Sequence, residues 1–116
     1  MTGVKITLPN GKEHIQPTGL FINNEFVKAK SEKAFSAIDP ATSKVICQVE
    51  EAGEQDVDIA VKAARAAFEG AWSELIPTER GNLLIKLAEL IEEDAEKLAA
   101  VEALNGGKIG HSSSHC

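Results

Sequence analysis

Cysteine and histidine are the side chains of this chain that could act as nucleophiles or metal ligands. Cys47 is a candidate nucleophile. His111, His115 and Cys116 are candidate metal ligands, because the two histidines lie four residues apart, as on one face of a helix. Cys47 lies in a strand-like run with no histidine nearby in sequence, so a packed free thiol is the favoured interpretation. The serines at 112–114 disfavour a helix, which favours a mobile tail over a metal site.

Two further segments carry residue types found in binding sites. Gly106-Gly107-Lys108 resembles the end of a phosphate-binding loop, but Glu102 and Ile109 stand where that motif requires glycine and serine or threonine. The two glycines are therefore predicted to end a helix. Trp72 is predicted to anchor a loop onto the core rather than to contact a ligand. The residues alone thus identify no catalytic, cofactor-binding or metal-binding site.

Apolar residues recur at three- and four-residue steps through two long segments between Gly53 and Gly107, which predicts amphipathic helices. The first stripe comprises Val57, Ala60, Val61, Ala64, Ala67, Phe68 and Ala71, and the second comprises Leu84, Leu87, Ala88, Ile91, Ala95, Leu98 and Ala99. Pro77 suits the first turn of the second segment, and Asp94 is predicted to cap a third helix. Further apolar residues widen the second stripe, which predicts contact with more than one neighbour. Its acidic residues between 89 and 96 are predicted to form a solvated surface.

Strand patterns precede these helices. Residues 20–27 are predicted to form a tight hairpin around Asn23-Asn24, a pair that tolerates positive φ. Residues 35–49 are predicted to form a second strand pair around a turn at Asp39, whose side chain can bond to amide groups just beyond it. Residues 4–16 are compatible with either a small hairpin or a frayed arm.

Length and charge exclude several classes of protein. A chain of 116 residues fits one small domain that buries about two thirds of the surface its unfolded form exposes. A net charge of −6 with scattered basic residues argues against nucleic acid or an anionic membrane as a partner. No apolar run approaches the roughly 20 residues needed to cross a bilayer, and no signal-peptide pattern begins the chain. A cytoplasmic protein with free thiols is expected.

Several segments together resemble the amino-terminal portion of the NAD(P)-dependent aldehyde dehydrogenases. These are Gly19-Leu-Phe-Ile-Asn-Asn-Glu-Phe-Val27, Ile38-Asp-Pro-Ala-Thr-Ser-Lys-Val-Ile46, Glu79-Arg-Gly-Asn-Leu-Leu-Ile-Lys-Leu-Ala-Glu-Leu-Ile91 and Val101-Glu-Ala-Leu-Asn-Gly-Gly-Lys108. Each motif alone is weak, whereas their order and spacing together are specific. The resemblance covers about residues 19 to 108.

The resemblance implies an α+β fragment of an α/β enzyme. Two N-terminal β-hairpins would be followed by two or three amphipathic helices, which in the family pack on a Rossmann-like nucleotide-binding domain. The parent would be a homo-oligomer that oxidises aldehydes to carboxylic acids, with a cysteine thiolate forming a thiohemiacetal, NAD(P) accepting hydride and a glutamate activating water. The family's catalytic cysteine, glutamate and cofactor loop would lie beyond this sequence. The fragment is therefore expected to be inactive, to bind no cofactor alone and to self-associate.

Two residues depart from the family pattern. Ser43 stands where the family commonly has glycine, which implies strain if that turn requires positive φ. Asn105 stands where the family usually has an aspartate. In many members that carboxylate helps to bind a monovalent cation together with main-chain oxygens near the positions of Ala37 and Ile38, so the loss of charge weakens any such site.

The expected organisation is an N-terminal arm at residues 1–18, a family segment at 19–108 and a disordered tail unlike the family at 109–116. An alternative hypothesis is a small acidic α+β interaction module, which would use its wide apolar stripe to bind a partner protein or a full-length subunit.

Overall fold

The computed structural model describes residues 3–107, in which three separate two-stranded antiparallel sheets precede a series of helices. The strands are β1 (Gly3–Thr7), β2 (Glu13–Pro17), β3 (Leu20–Ile22), β4 (Glu25–Val27), β5 (Ala34–Ile38) and β6 (Val45–Glu50). The helices are α1 (Glu54–Glu69), α2 (Ala71–Glu74), α3 (Pro77–Glu93) and α4 (Ala95–Gly106). The predicted α+β arrangement of short hairpins and helices is confirmed. The tail considered as a metal site, from His111 to Cys116, lies outside the described residues.

Residues 4–16, for which the sequence is compatible with either a small hairpin or a frayed arm, form a hairpin. The Leu8 N–H donates to the Lys12 carbonyl at 2.9 Å, and the Gly11 N–H donates to the Leu8 carbonyl at 2.9 Å. Pro9 suits the second position of such a turn, and Gly11 has a φ of +79° that an L side chain rarely adopts. These local preferences pair β1 with β2, so residues 3–107 contain three hairpins instead of the two expected.

The second hairpin confirms the prediction for residues 20–27. Asn23 and Asn24 both have positive φ, 50° and 67°, as a two-residue hairpin turn requires. Phe21 and Phe26 face each other across the strands with ring centroids 4.9 Å apart. The turn fixes the register, and the aromatic pair adds a cross-strand contact.

The third hairpin is closed by the side chain of Asp39. Its carboxylate accepts the Ala41 N–H at 2.9 Å and the Thr42 hydroxyl at 2.7 Å. The Thr42 hydroxyl and the Ala41 amide lower the pKa of Asp39, because both hydrogen bonds favour the ionised form. Ser43 adopts a φ of 58°, so the conformation that favours glycine is present at this position.

The helix ends follow the local sequence. Pro77 occupies the first position of α3, and the Ile76 N–H donates to the Glu79 carboxylate at 3.1 Å. Asp94 separates α3 from α4 as predicted, although its side chain pairs with Lys97 at 2.6 Å instead of capping the helix. Gly107 ends α4 with a φ of 67°, which confirms that this glycine terminates a helix. The described part of the chain thus contains three long helices and the single-turn helix α2.

The hydrophobic core is small for a chain of this length. Its centre consists of Ile6 and Leu8 from the first hairpin and Ala100 from α4, with three half-buried side chains around them. The accessible surface is 9092 Å², whereas a compact monomer of this mass exposes about 6,000 Å². The radius of gyration is 17.1 Å, against about 13 Å for a compact domain of this length. The burial expected from chain length is therefore not reached.

Two carboxylates hold the loop that follows β4. Asp56, only 2 % exposed, accepts the Lys30 N–H at 3.0 Å and the Gly53 N–H at 2.9 Å. Glu50 accepts the N–H of the buried Ala29 at 2.8 Å. These bonds join the loop to the end of β6 and the start of α1. Buried backbone donors are costly to leave unsatisfied, so this clamp fixes the position of the loop.

None of the helices within residues 3–107 has the length and apolar character needed to span a membrane.

Replacing Asp56 with alanine is expected to lower the free energy that protects the Lys30 and Gly53 amides from hydrogen exchange by about 1–3 kcal/mol, because both donors lose a charged acceptor. Asp58→Ala is the matched control, since Asp58 is an exposed aspartate on the same helix. Amide exchange measured by NMR compares the two variants. Equal effects at both positions would contradict the clamp.

Candidate functional site

An open cavity of about 770 Å³ lies between the first hairpin, the third hairpin and α4. Its wall is largely apolar. Ala37 and Cys47 line it from β5 and β6, and Glu102 and Asn105 line it from α4. The cavity therefore brings together the candidate nucleophile and two of the positions that the family resemblance associates with a cation.

Cys47 is a buried free thiol in this wall, 8 % exposed. Burial raises its pKa, because the apolar surroundings disfavour the thiolate. A reactive cysteine requires the opposite, a pKa lowered by a nearby base or positive charge. His14, the histidine within residues 3–107, lines a separate cleft. The prediction that Cys47 is a packed thiol is confirmed.

The cavity supplies few ligands for the cation that the family resemblance implies. Ala37 and Asn105 both line it, but Asn105 offers a neutral amide oxygen where a carboxylate would supply charge. Ile38 does not line the cavity, and Glu102 lies one helical turn before Asn105 with an exposed side chain. No group of three or more His, Cys, Asp or Glu side chains suited to a metal occurs among the described residues. Position 105 therefore lacks the carboxylate that the resemblance associates with the cation.

The apolar face of α3 is exposed. It consists of Leu83, Leu84, Ile85, Leu87, Leu90 and Ile91, each between 48 % and 63 % exposed. α3 contains no buried residue. Covering these six half-exposed side chains would contribute about 5 kcal/mol, which is comparable to the whole stability of a small domain. The helix therefore leaves in water an apolar surface of the kind that proteins usually bury.

The other side chains singled out from the sequence occupy separate places. Trp72 lies in α2, is 37 % exposed and is not part of the core cluster. The acidic residues from Glu89 to Glu96 are exposed, as predicted. The buried carboxylate of Asp56 was not predicted. Its sequence signal was its position three residues after Gly53, which indicates a helix start but carries no information on burial.

The comparisons with known proteins agree on one family. The sequence model of the aldehyde dehydrogenase family matches residues 26–115. An aldehyde dehydrogenase of Alternaria alternata is 59 % identical over 108 residues, which are 93 % of this chain and 22 % of that protein. Aldehyde dehydrogenase 1A1 of Mus musculus is 54 % identical over 82 % of this chain and 19 % of its own length. The chain thus spans about a fifth of the length of the curated relatives it matches.

Solved structures show the same fold. The G224D mutant of an aldehyde dehydrogenase from Bacillus cereus superimposes on 84 % of this chain and 20 % of its own, with a TM-score of 0.80 and 49 % identity. The NAD+ complex of aldehyde dehydrogenase from Bacillus cereus covers 77 % of this chain and 18 % of its own, with a TM-score of 0.73 and 52 % identity.

Alkylation of Cys47 by iodoacetamide is expected to be at least about tenfold slower in the folded chain than in urea, because burial blocks access and disfavours the thiolate. Peptide mass spectrometry gives the rate at this cysteine separately. Equal rates of alkylation in the folded and unfolded states would mean that Cys47 is accessible.

The folded state holds the thiol proton of Cys47 to higher pH than the unfolded state does. The free energy of unfolding should therefore fall as pH rises above the ordinary value of 9.0 towards the raised pKa of the folded state.

Proposed function

Because this chain belongs to the aldehyde dehydrogenase family, we propose that it forms the amino-terminal segment of an NAD(P)-dependent enzyme that oxidises aldehydes to carboxylic acids. The observation that carries the proposal is the family match over residues 26–115, in relatives of which this chain spans about a fifth. A homo-oligomeric parent in the cytoplasm is part of the proposal.

The chemical step is assigned to other parts of the parent. There a cysteine thiolate would attack the aldehyde carbon, and a glutamate would activate the water that releases the acid. NAD(P) would supply the hydride acceptor. Gly106 and Gly107 do not fit a phosphate site, because they lie at the carboxyl end of α4, where exposed carbonyl groups disfavour an anion. Cys47, with its raised pKa, does not fit the nucleophile.

This segment would act as a covering layer on the nucleotide-binding domain of the parent. The apolar face of α3 supports this role, since six large side chains on one helix remain about half exposed. Packing them on a Rossmann-like domain would remove this surface from water and complete the core that the segment lacks. The catalytic domain would gain a fixed outer layer, and the segment would gain most of its stability.

Self-association of the isolated chain through the apolar face of α3 is the expected consequence. Leu84→Gln combined with Leu87→Gln should weaken the association at least about tenfold, because the removed apolar area contributes more than 1.4 kcal/mol. The control is Lys86→Gln with Glu89→Gln, which removes an exposed ion pair on the same helix without a change in net charge. Sedimentation velocity over a range of concentrations measures the constants. A wild-type chain that stays monomeric would contradict this role for α3.

The native protein in its source is expected to be about fivefold longer than this chain, as its relatives are. An antibody against residues 79–97 captures it for intact mass measurement. The purified chain alone, mixed with aldehyde and NAD+, should produce no NADH, whereas a full-length aldehyde dehydrogenase should. NADH from the chain alone would refute the assignment of catalysis to other parts. A native species ending at Cys116 with one stoichiometric partner would favour the interaction module.

A further inference from the structure

The dipeptide Asn-Gly occurs twice in this chain in different backbone settings. Asn10-Gly11 forms the exposed tip of the first hairpin, and Asn105-Gly106 lies in the last turn of α4. Asn10 and Asn105 are both exposed, so they differ in backbone conformation more than in contact with water. The two sites can therefore be compared within one chain to show how backbone conformation affects the reactivity of the asparagine.

The first of these sites has the features that favour intramolecular attack on the asparagine side chain. A Cβ at Gly11 would meet no atom within 4 Å, and the same is true at Gly106, so the space beside the glycine does not distinguish the two sites. The Lys12 N–H donates to Oδ1 of Asn10 at 3.1 Å. That donor is aimed at the oxygen on which negative charge would develop if a nucleophile added to the side-chain carbonyl.

We infer that Asn10 is a site of spontaneous deamidation and that its conversion to a carboxylate loosens the first hairpin from the start of α4. The Gly11 nitrogen forms a bond to Cγ of Asn10 and loses its proton to water. Nδ2 takes a proton from water, the Cγ–Nδ2 bond breaks, and ammonia leaves behind a cyclic imide. Water opens the imide to aspartate or isoaspartate, with no oxidation or reduction.

One hydrogen bond has to open before the attack. The Gly11 N–H donates to the Leu8 carbonyl at 2.9 Å, and the turn must release it. At an exposed loop tip such local opening costs least. In α4 the same attack must distort the helix, whose end is closed by the Gly107 N–H on the Ala103 carbonyl at 3.0 Å. The hairpin site should therefore react faster.

The new carboxylate would face an acidic cleft. Asn10 and Lys12 line this cleft from the hairpin, and Glu93, Asp94 and Glu96 line it from the junction of α3 and α4. Lys12 Nζ lies 2.8 Å from the Glu96 carboxylate and lowers its pKa, and the Asn10 amide lowers it further. A carboxylate at position 10 replaces this favourable amide with a like charge and competes for Lys12.

Peptide mass spectrometry of the incubated full chain tests the first half of the inference. Trypsin releases Asn10 in the peptide 6–12 and Asn105 in the peptide 98–108. After incubation at neutral pH, Asn10 should convert about tenfold faster than Asn105 in the folded chain, and the two should convert at similar rates in concentrated urea. Circular dichroism of the same sample confirms that the helices are present. A folded-state rate at Asn10 equal to or below that at Asn105 would overturn the inference.

Two variants test the second half. Asn10→Asp imitates the product, whereas Asn10→Ser removes the amide without adding charge. Amide exchange at residues 93–97 should be faster in Asn10→Asp than in Asn10→Ser, and added salt should reduce the difference because it screens the repulsion. Identical exchange in the two variants would show that the new charge does not loosen the contact.

Discussion

The small hydrophobic core of this chain determines how much of its apolar surface stays exposed to water. Ile6, Leu8 and Ala100 form its centre, and these three side chains cannot cover three long helices. The apolar face of α3 is consequently left in water, although its side chains are of the types that proteins bury. Hydrophobic burial is the largest favourable contribution to folding, and the proposed packing of α3 on another part of a parent protein would supply the burial that this segment lacks.

Directional hydrogen bonds maintain the elements where apolar burial is weak. Each hairpin is closed by its own turn, and the third has the side chain of Asp39 across it. Glu50 and Asp56 join the loop after β4 to the sheet and to α1 over 21 and 26 residues of sequence. Such bonds fix positions more than they add net stability, because the unfolded chain bonds to water instead. The local geometry is therefore well defined although the core is small.

The cavity beside Cys47 and the carboxyl end of α4 both lack features that catalysis or phosphate binding would need. The cavity beside Cys47 has an apolar wall and a thiol whose pKa burial raises, which suits packing and not nucleophilic attack. The carboxyl end of α4 presents carbonyl groups where a phosphate site would need N–H donors. These surfaces are consistent with the supporting role proposed for this segment.

The sequence by itself determined the elements whose cause is local. The Asn23-Asn24 turn, Pro77 at the start of α3, the break at Asp94 and the glycine that ends α4 all follow from preferences of neighbouring residues, and all are present. The ordered motifs also indicated the family. The sequence left the first hairpin undecided, because its apolar alternation is weak. Its local turn closes the hairpin, and the contact of Ile6 and Leu8 with Ala100, more than 90 residues away, adds burial that the alternation does not indicate. Only the tertiary structure decided which side chains are buried. Asp56 is buried, whereas the apolar stripe on α3 is exposed. Burial depends on which distant surfaces are present, and periodicity shows only which face of a helix such a surface would cover.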